Sequence, residues 1–431
     1  MLSYEIWIAP NLTRVGFLQL GERRVKNRIE PTKEPKENRL EMKLNQHLKN
    51  WKQIVSYRFP ALSLPQVSGL ATWSFGMVMT KSSSLTRVST LIAKVNQEKE
   101  NTVRQRLKEW YKAGEAKEKT GNKRASIEVK ECFGSLLTWV VDLLPPLNKE
   151  LPIAIDATNI GQNFTVLSIN VLYRRCAIPI AWKVIAGTEK GSWKPYWQEL
   201  FQALKNIVPT DWKVIVNADR GLYASWLYEQ IVELNWHPFL RINHQAQYRL
   251  PNSSLWQTLA TVVSHPGERW SGQVACFKTN TLNSTLLARW DDGYTDPWLI
   301  LTDLNSTDAD IGWYGFRSWI ECSYRDIKSD GWQWHKTRLR QPDRAERHWL
   351  AMAVALLWMV TLGGEQEILA NGLTEVGSEP SVPSPARQIS CFLNGLLTVI
   401  ARLLLGQSLT LGRLSPFSFN RGSDLSFSDS S

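Results

Sequence analysis

Three acids in the second half of the chain stand where carboxylates can do chemistry. Asp156 closes the apolar run Ile153-Ala154-Ile155, and Asp219 closes the buried-strand pattern from Trp212 to Ala218. Each is expected to end a short strand and project from a sheet rim, where ligands sit in open α/β sheets. Two carboxylates on adjacent strands repel unless a cation bridges them. Magnesium, hard and oxygen-seeking, suits that place, with manganese as the alternative. A lone aspartate at a strand end is more often a cap or turn former. A matched pair with a third acid downstream instead suggests two metal ions holding the attacking and leaving oxygens of an in-line phosphoryl displacement.

The third acid is Glu321. On an ideal helix of ~100° per residue, Tyr314, Arg317, Glu321 and Lys328 fall at about 0°, 300°, 340° and 320°. They form one stripe that reads as too polar for a core face. The carboxylate can ligate metal while Arg317 and Lys328 neutralise phosphate. The competing reading is a solvated helix face with internal ion pairs, helped by Arg325 and Asp326.

The elements that must position these residues follow from the hydrophobic pattern. Beyond Pro152 come strand-like runs at Phe164 to Tyr173 and Ala177 to Ala186, then helical period from Trp193 to Val208. The Asp219 strand follows, then a helix from Leu222 to Leu234 and a strand from Pro238 to Ile242. Three strands, helix, strand, helix, strand is a mixed α/β sheet with crossover helices. Residues 245–297, rich in Thr, Ser, Asn and Trp, read as a β-rich insertion, with strand runs at Gly272 to Lys278 and Ser284 to Trp290. Trp298 opens a further strand. Asp310 to Ser329 is expected as one continuous helix, and Arg344 to Val360 as a more apolar one.

Charge divides the chain. The 431 residues carry a net charge of +11, and the first 150 hold 26 basic and 15 acidic residues, so the whole excess lies there. That asymmetry points to a polyanion-binding module joined to a near-neutral one. Within it, Ser84 is expected to cap a helix through Val95. Asn101 is expected to cap a second helix through Lys112 that bears Arg104 and Arg106. Two short helices with a basic second member resemble a helix-turn-helix reader, or else an ordinary amphipathic pair. The Trp332 to Lys336 run and the arginines 338, 340, 344 and 347 add aromatic and basic groups suited to nucleic acid. Five scattered cysteines disfavour a disulfide framework or a zinc module. No apolar run reaches the ~18 residues of a membrane span. No phosphate-binding Gly-x-x-x-x-Gly-Lys loop is present.

The spacing of Tyr314, Arg317, Glu321 and Lys328 is Y-x2-R-x3-E-x6-K. It resembles the Y-R-E-K signature of bacterial insertion-sequence transposases of the insertion-sequence-four type. Ile155-Asp156-Ala157-Thr158 resembles the first acidic motif of that family, and Ala218-Asp219-Arg220-Gly221 the second. The resemblance covers about Leu151 to Gly363. It implies an RNase H-like core with Asp156, Asp219 and Glu321 as a catalytic triad holding two Mg2+ ions. It also implies a dimer that binds terminal inverted repeats, cuts with water and joins the freed ends to target DNA. Trp298 falls where an aromatic of related enzymes stacks on a flipped base, although a strand-start core tryptophan reads as well.

The expected organisation is a poorly ordered arm, or an upstream extension of the reading frame, over 1–39, a helical basic DNA-binding region over 40–145, the catalytic domain over 151–363, and a C-terminal helix with a Ser-rich tail over 364–431. The segment from Leu40 to Lys130 is expected to bind DNA alone, more weakly as salt rises. Residence in the cytoplasm beside the nucleoid, away from membranes, fits this partner. A DNA-binding relic or inhibitor that no longer transposes is the alternative.

Overall fold

The computed structural model describes residues 36–117, 125–144, 149–370 and 389–414. Most of the expected N-terminal arm, the charged linker before Ala125, the proline pair at 145 and 146, the Ser/Pro linker after Gly377 and the Ser-rich tail lie outside these residues.

Five helices come first: α1 (Lys36–Arg58), α2 (Leu64–Thr80), α3 (Leu85–Asn96), α4 (Glu100–Trp110) and α5 (Lys130–Leu143). Ser84 caps α3 as expected, accepting from the Arg87 amide. Asn101 does not cap α4: the helix begins one residue earlier, after Lys99, and stops at Trp110. Helix α2 is apolar nearly all round and buried from Val67 to Val78, the signature of a core helix. Gly69 makes its seat possible. A Cβ there would lie 1.9 Å from the Trp110 indole, whose Nε1 donates to the Gln66 carbonyl at 2.9 Å.

The sheet then forms in the expected order. Strands β1 (Glu150–Ile160), β2 (Phe164–Tyr173) and β3 (Cys176–Ala186) make an antiparallel meander. Helix α6 (Lys194–Leu204) leads to β4 (Lys213–Ala218), and α7 (Ser225–Val232) to β5 (His237–Arg241). Strand β4 runs parallel to β1, and β5 parallel to β4. The insertion supplies β6 (Gln247–Arg249), β7 (Gln257–Thr258), β8 (Arg269–Cys276) and β9 (Leu282–Arg289), and β10 (Trp298–Thr302) follows. The order is β3-β2-β1-β4-β5-β10-β9-β8-β6-β7. The insertion therefore extends the central sheet through the β9–β10 ladder. The mixed α/β class holds, with the helical region before the sheet and the β-rich insertion within it.

Alternation across the pleat assigns the two faces. Ala154, Ile215, Phe239 and Ile300 point to one side, where they pack with Trp313, Tyr314, Phe316, Trp319, Ile320 and Tyr324. Ile153, Ile155, Val214, Val216, Leu240 and Leu301 point to the other, into the main core.

That core runs from Leu48 of α1 to Leu414. Helix α9 (Pro342–Ala370) is completely buried from Trp349 to Leu357 and almost so as far as Val360. Its Trp358 stacks on Trp51 of α1 with centroids 4.2 Å apart. Residues Pro342–Glu367 are long and apolar enough to cross a bilayer, contrary to the expectation of no such run, but 94% of the most apolar stretch is buried inside the protein. Helix α10 (Cys391–Leu404) packs on α9.

Candidate active site

Asp156 and Asp219 share a face because of strand parity. Asp156 lies two residues beyond Ala154, and Asp219 four beyond Ile215, so both aim at the aromatic layer over the sheet. Asp156 does not end its strand, as its sequence setting suggested. Strand β1 continues to Ile160 because β2 keeps pairing with it, Asp156 opposite Ser168. What ends is the other ladder: Ile155↔Ala218 is the last pair between β1 and β4. The two acids are the next residue on each strand, side by side where the sheet opens. Asp219 turns its Oδ1 back to the Arg220 amide at 2.7 Å, and Asp156 does the same to Ala157 at 2.8 Å.

The segment over this rim is not the single helix expected. It is a 3₁₀ helix at Ile311–Ser318, an α-helix at Trp319–Arg325 and a π turn at Asp326–Asp330. Asp310 starts it by accepting from the Gly312 amide at 2.8 Å. Gly331 and Trp332 both donate to the Asp326 carbonyl, at 2.8 and 3.0 Å, which closes the wide last turn. The stripe is also less polar than its composition implied, since Tyr314 is buried in the aromatic layer.

The four residues nonetheless converge. Arg317 reaches Glu321 Oε1 at 2.8 Å, Asp156 Oδ2 at 3.2 Å and Asp219 Oδ2 at 3.6 Å. The Tyr314 hydroxyl donates to Asp219 at 3.4 Å, and Lys328 donates to Thr158 on β1 at 2.6 Å. Tyr324 and Ser168 complete the base of the site, bonded to each other at 2.7 Å, with Tyr324 also donating to the Asp156 carbonyl at 3.2 Å. Sequence reasoning passed over Thr158, Ser168 and Tyr324. Only their positions two and three residues from Asp156 and Glu321, and opposite Asp156 in register, mark them.

Burial raises the Asp156 carboxyl above the usual carboxylate range, while Arg317 pulls the other way. Burial also lowers Lys328, against the pull of Asp156. It raises the Tyr314 and Tyr324 phenols, which are therefore neutral donors. Beside the acids an open cleft of about 500 Å³ is lined by Asp156, Thr158, Glu321, Tyr324, Arg325 and Lys328.

Three carboxylates aimed at one point are the hard-oxygen donor set that Mg2+ or Mn2+ takes. The cation among them here is the Arg317 guanidinium. With it in place, no three acid, histidine or cysteine side chains among the described residues close around a metal ion. The donors fit the ion in chemistry.

Other sequence candidates divide. Trp298, half-buried at the start of β10, meets the Tyr314 ring edge-on at 5.3 Å and so stands at the margin of the site. Arg220 is half-exposed and pairs with Asp296 at 3.2 Å. Arg104 and Arg106 lie apart from the acids, on α4. Arg104 donates to Thr86 at 2.7 Å and Arg106 pairs with Glu98 at 2.8 Å, so both tie α4 to α3 and its following turn. Burial, then Arg106 and Lys49, lower the Lys52 pKa, marking a crowd of cations across α1 and α4. Trp332 and Trp334, expected as a stacking surface, are fully buried core residues. Arg347 is buried too, donating to the Ile127 and Tyr111 carbonyls at 3.0 and 3.2 Å. Each is held in the interior by packing against elements distant in sequence.

Residues 149–358 match the family model of the transposase DDE domain. No curated protein matches the chain. Among solved structures the chain is similar to a piggyBac transposase in its synaptic complex with hairpin DNA, at 10% identity over 85% of this chain and 80% of that one. The TM-score of 0.31 gives that likeness no weight. The segment that holds all three acids is thus similar to the DDE domain of transposases, and that match supports a DNA transposase function.

Proposed function

We propose that Asp156, Asp219 and Glu321 are the catalytic triad of this transposase, and that it belongs to the Y-R-E-K group. The observation that supports this reading is the convergence of three carboxylates from β1, the end of β4 and the α-helix Trp319–Arg325 on a single cationic point. Two Mg2+ ions, with Mn2+ able to replace them, would supply Lewis-acid stabilisation and activate the attacking oxygen. The chain's own residues do the rest. Tyr314 and Tyr324 hold the two aspartates in place as neutral donors. Lys328, on the wall of the cleft, and Arg317 hold the phosphates of the DNA end. Trp298 offers a ring beside the cleavage site on which an extruded base stacks. The substrate is double-stranded DNA carrying the terminal inverted repeats of the element that encodes the protein. It is gripped by the basic helices over 40–145, with Arg104, Arg106 and Arg220 on phosphates and two copies of the chain bridging the two ends. Such a protein works in the cytoplasm beside the nucleoid.

The test is incubation of the full chain with DNA from either flank of its own gene, with magnesium or with a chelator. Magnesium-dependent nicking at the element ends, followed by joining to a second DNA, is expected. Absence of any magnesium-dependent cleavage would remove the reading.

A further inference from the structure

One guanidinium touches all three acids. Arg317 is within 3.6 Å of Asp156, Asp219 and Glu321 at once. An arginine cannot shed its charge to make way for another cation. A divalent ion placed among the same oxygens would face both that charge and its bulk. We propose that Arg317 is the resident counter-ion of the acid triad before metal binds, that a divalent cation enters only by displacing it, and that the displaced guanidinium is thereby delivered to the DNA phosphate. The proposal rests on the reading of the three acids as cation ligands.

Three observations carry it. The seat of Arg317 is incomplete: its Nε is buried with no hydrogen-bond partner, and a buried donor left unpaired costs free energy. The side chain therefore has a better-bonded place to go once a phosphate offers acceptors. The acids also differ in freedom. Asp156 is 20% exposed and fixed by Ala157, whereas the Glu321 side chain is 62% exposed. Glu321 can let go of Arg317 and turn to a cation without opening the core. Finally, the cleft beside Asp156 and Glu321 already carries Arg325 and Lys328, so a phosphate drawn there lies where Arg317 can reach it. Arg317 then acts as a positioning residue that links cation entry to capture of the DNA end.

The experiment is calorimetric titration of the full chain with manganese chloride, without DNA, for wild type, Arg317→Met and Arg317→Lys. Methionine keeps much of the stem and removes the charge; lysine keeps the charge and loses the fork. Loss of a unit charge in contact with the ligands should tighten manganese binding by at least about tenfold in Arg317→Met. Arg317→Lys should stay within about threefold of wild type. Without manganese, Arg317→Met should melt below wild type, because three carboxylates are left facing one another, and manganese should close that gap. Where Arg317→Met does not fold, Arg317→Gln gives the same comparison while keeping hydrogen-bond donors. Equal or weaker binding in the uncharged variant overturns the proposal while leaving the triad as metal ligands. No manganese binding in any of the proteins overturns both.

Discussion

The three acids ask different things of the fold, and their substitution should read accordingly. On the proposed triad, Asp156→Ala, Asp219→Ala and Glu321→Ala should each abolish strand cleavage while DNA binding stays near wild type, because each would remove a cation ligand rather than a phosphate contact. Nicking above background by any one of them would take that residue out of the triad. Lys328→Ala removes a charge-assisted phosphate contact of ~1.5–3 kcal/mol, which is about ten- to a hundredfold in single-turnover cleavage. A solvated residue in an exposed ion pair would be worth ~0–1 kcal/mol and leave the rate unmoved. At this scale the sequence was informative. Both aspartates are marked by the apolar runs they follow, and strand parity then gives them a common face. Tyr324 and Thr158 were not marked, because a tyrosine in an aromatic-rich segment and a threonine in a strand look like packing until their partners are known.

At the scale of elements, the strands were readable because each is a short buried run bounded by turn residues, and Phe164–Tyr173 matches to the residue. The segment over the acids was not, because helical periodicity assumes one pitch throughout. Its change from 3₁₀ to α to π depends on Asp310 at one end and on Gly331 at the other. A Cβ on Gly331 would lie 2.5 Å from the Phe392 ring. The π turn carries a measurable signature. Asp326 is buried, one of its carboxylate oxygens has no partner, and burial lifts its pKa from 3.8 to about 7. The folded protein therefore holds this proton more tightly than the unfolded chain. Below about pH 4 both states are protonated and nothing is lost. Between about pH 4 and 7 the unfolded chain ionises first and stability falls, and above about pH 7 the loss is complete. Asp326→Asn, neutral throughout, should match wild type near pH 4 and exceed it at pH 8 by as much as ~4 kcal/mol. Denaturant melts at the two pH values check this. An asparagine variant less stable than wild type at pH 8 would mean that the carboxylate has a stabilising use in the fold.

Across the whole molecule, the charge asymmetry of the sequence invites a division that packing does not follow. The first 150 residues carry the entire net charge, yet their helices share a core with α9. Trp51 stacks on Trp358, and Trp73 and Tyr111 pack around His348, which burial keeps neutral by lowering its pKa to about 3. Arg347 spends its donors on the Tyr111 and Ile127 carbonyls. None of this could be read from composition, because a tryptophan in a basic region gives no sign of which distant helix covers it. The segment from Leu40 to Lys130 on its own would uncover Trp51, Trp73 and Tyr111, at roughly 1.5–3 kcal/mol for each large apolar side chain. Against the 5–15 kcal/mol that holds a typical domain together, that loss is decisive. The isolated segment should show no cooperative melting transition and should bind DNA only as a loose polycation does, without preference for the element ends. The full chain should bind those ends with an affinity that falls steeply with salt, and replacing Lys49, Lys52, Arg104 and Arg106 with glutamine should make that slope shallower. Arg106→Gln also breaks the pair with Glu98, so the variant's melting temperature is measured alongside, and an unchanged slope in a folded variant would move the DNA contact to another face. A fragment that melts cooperatively and selects the ends by itself would show that the basic helices are an autonomous reader and that the shared core only tethers them.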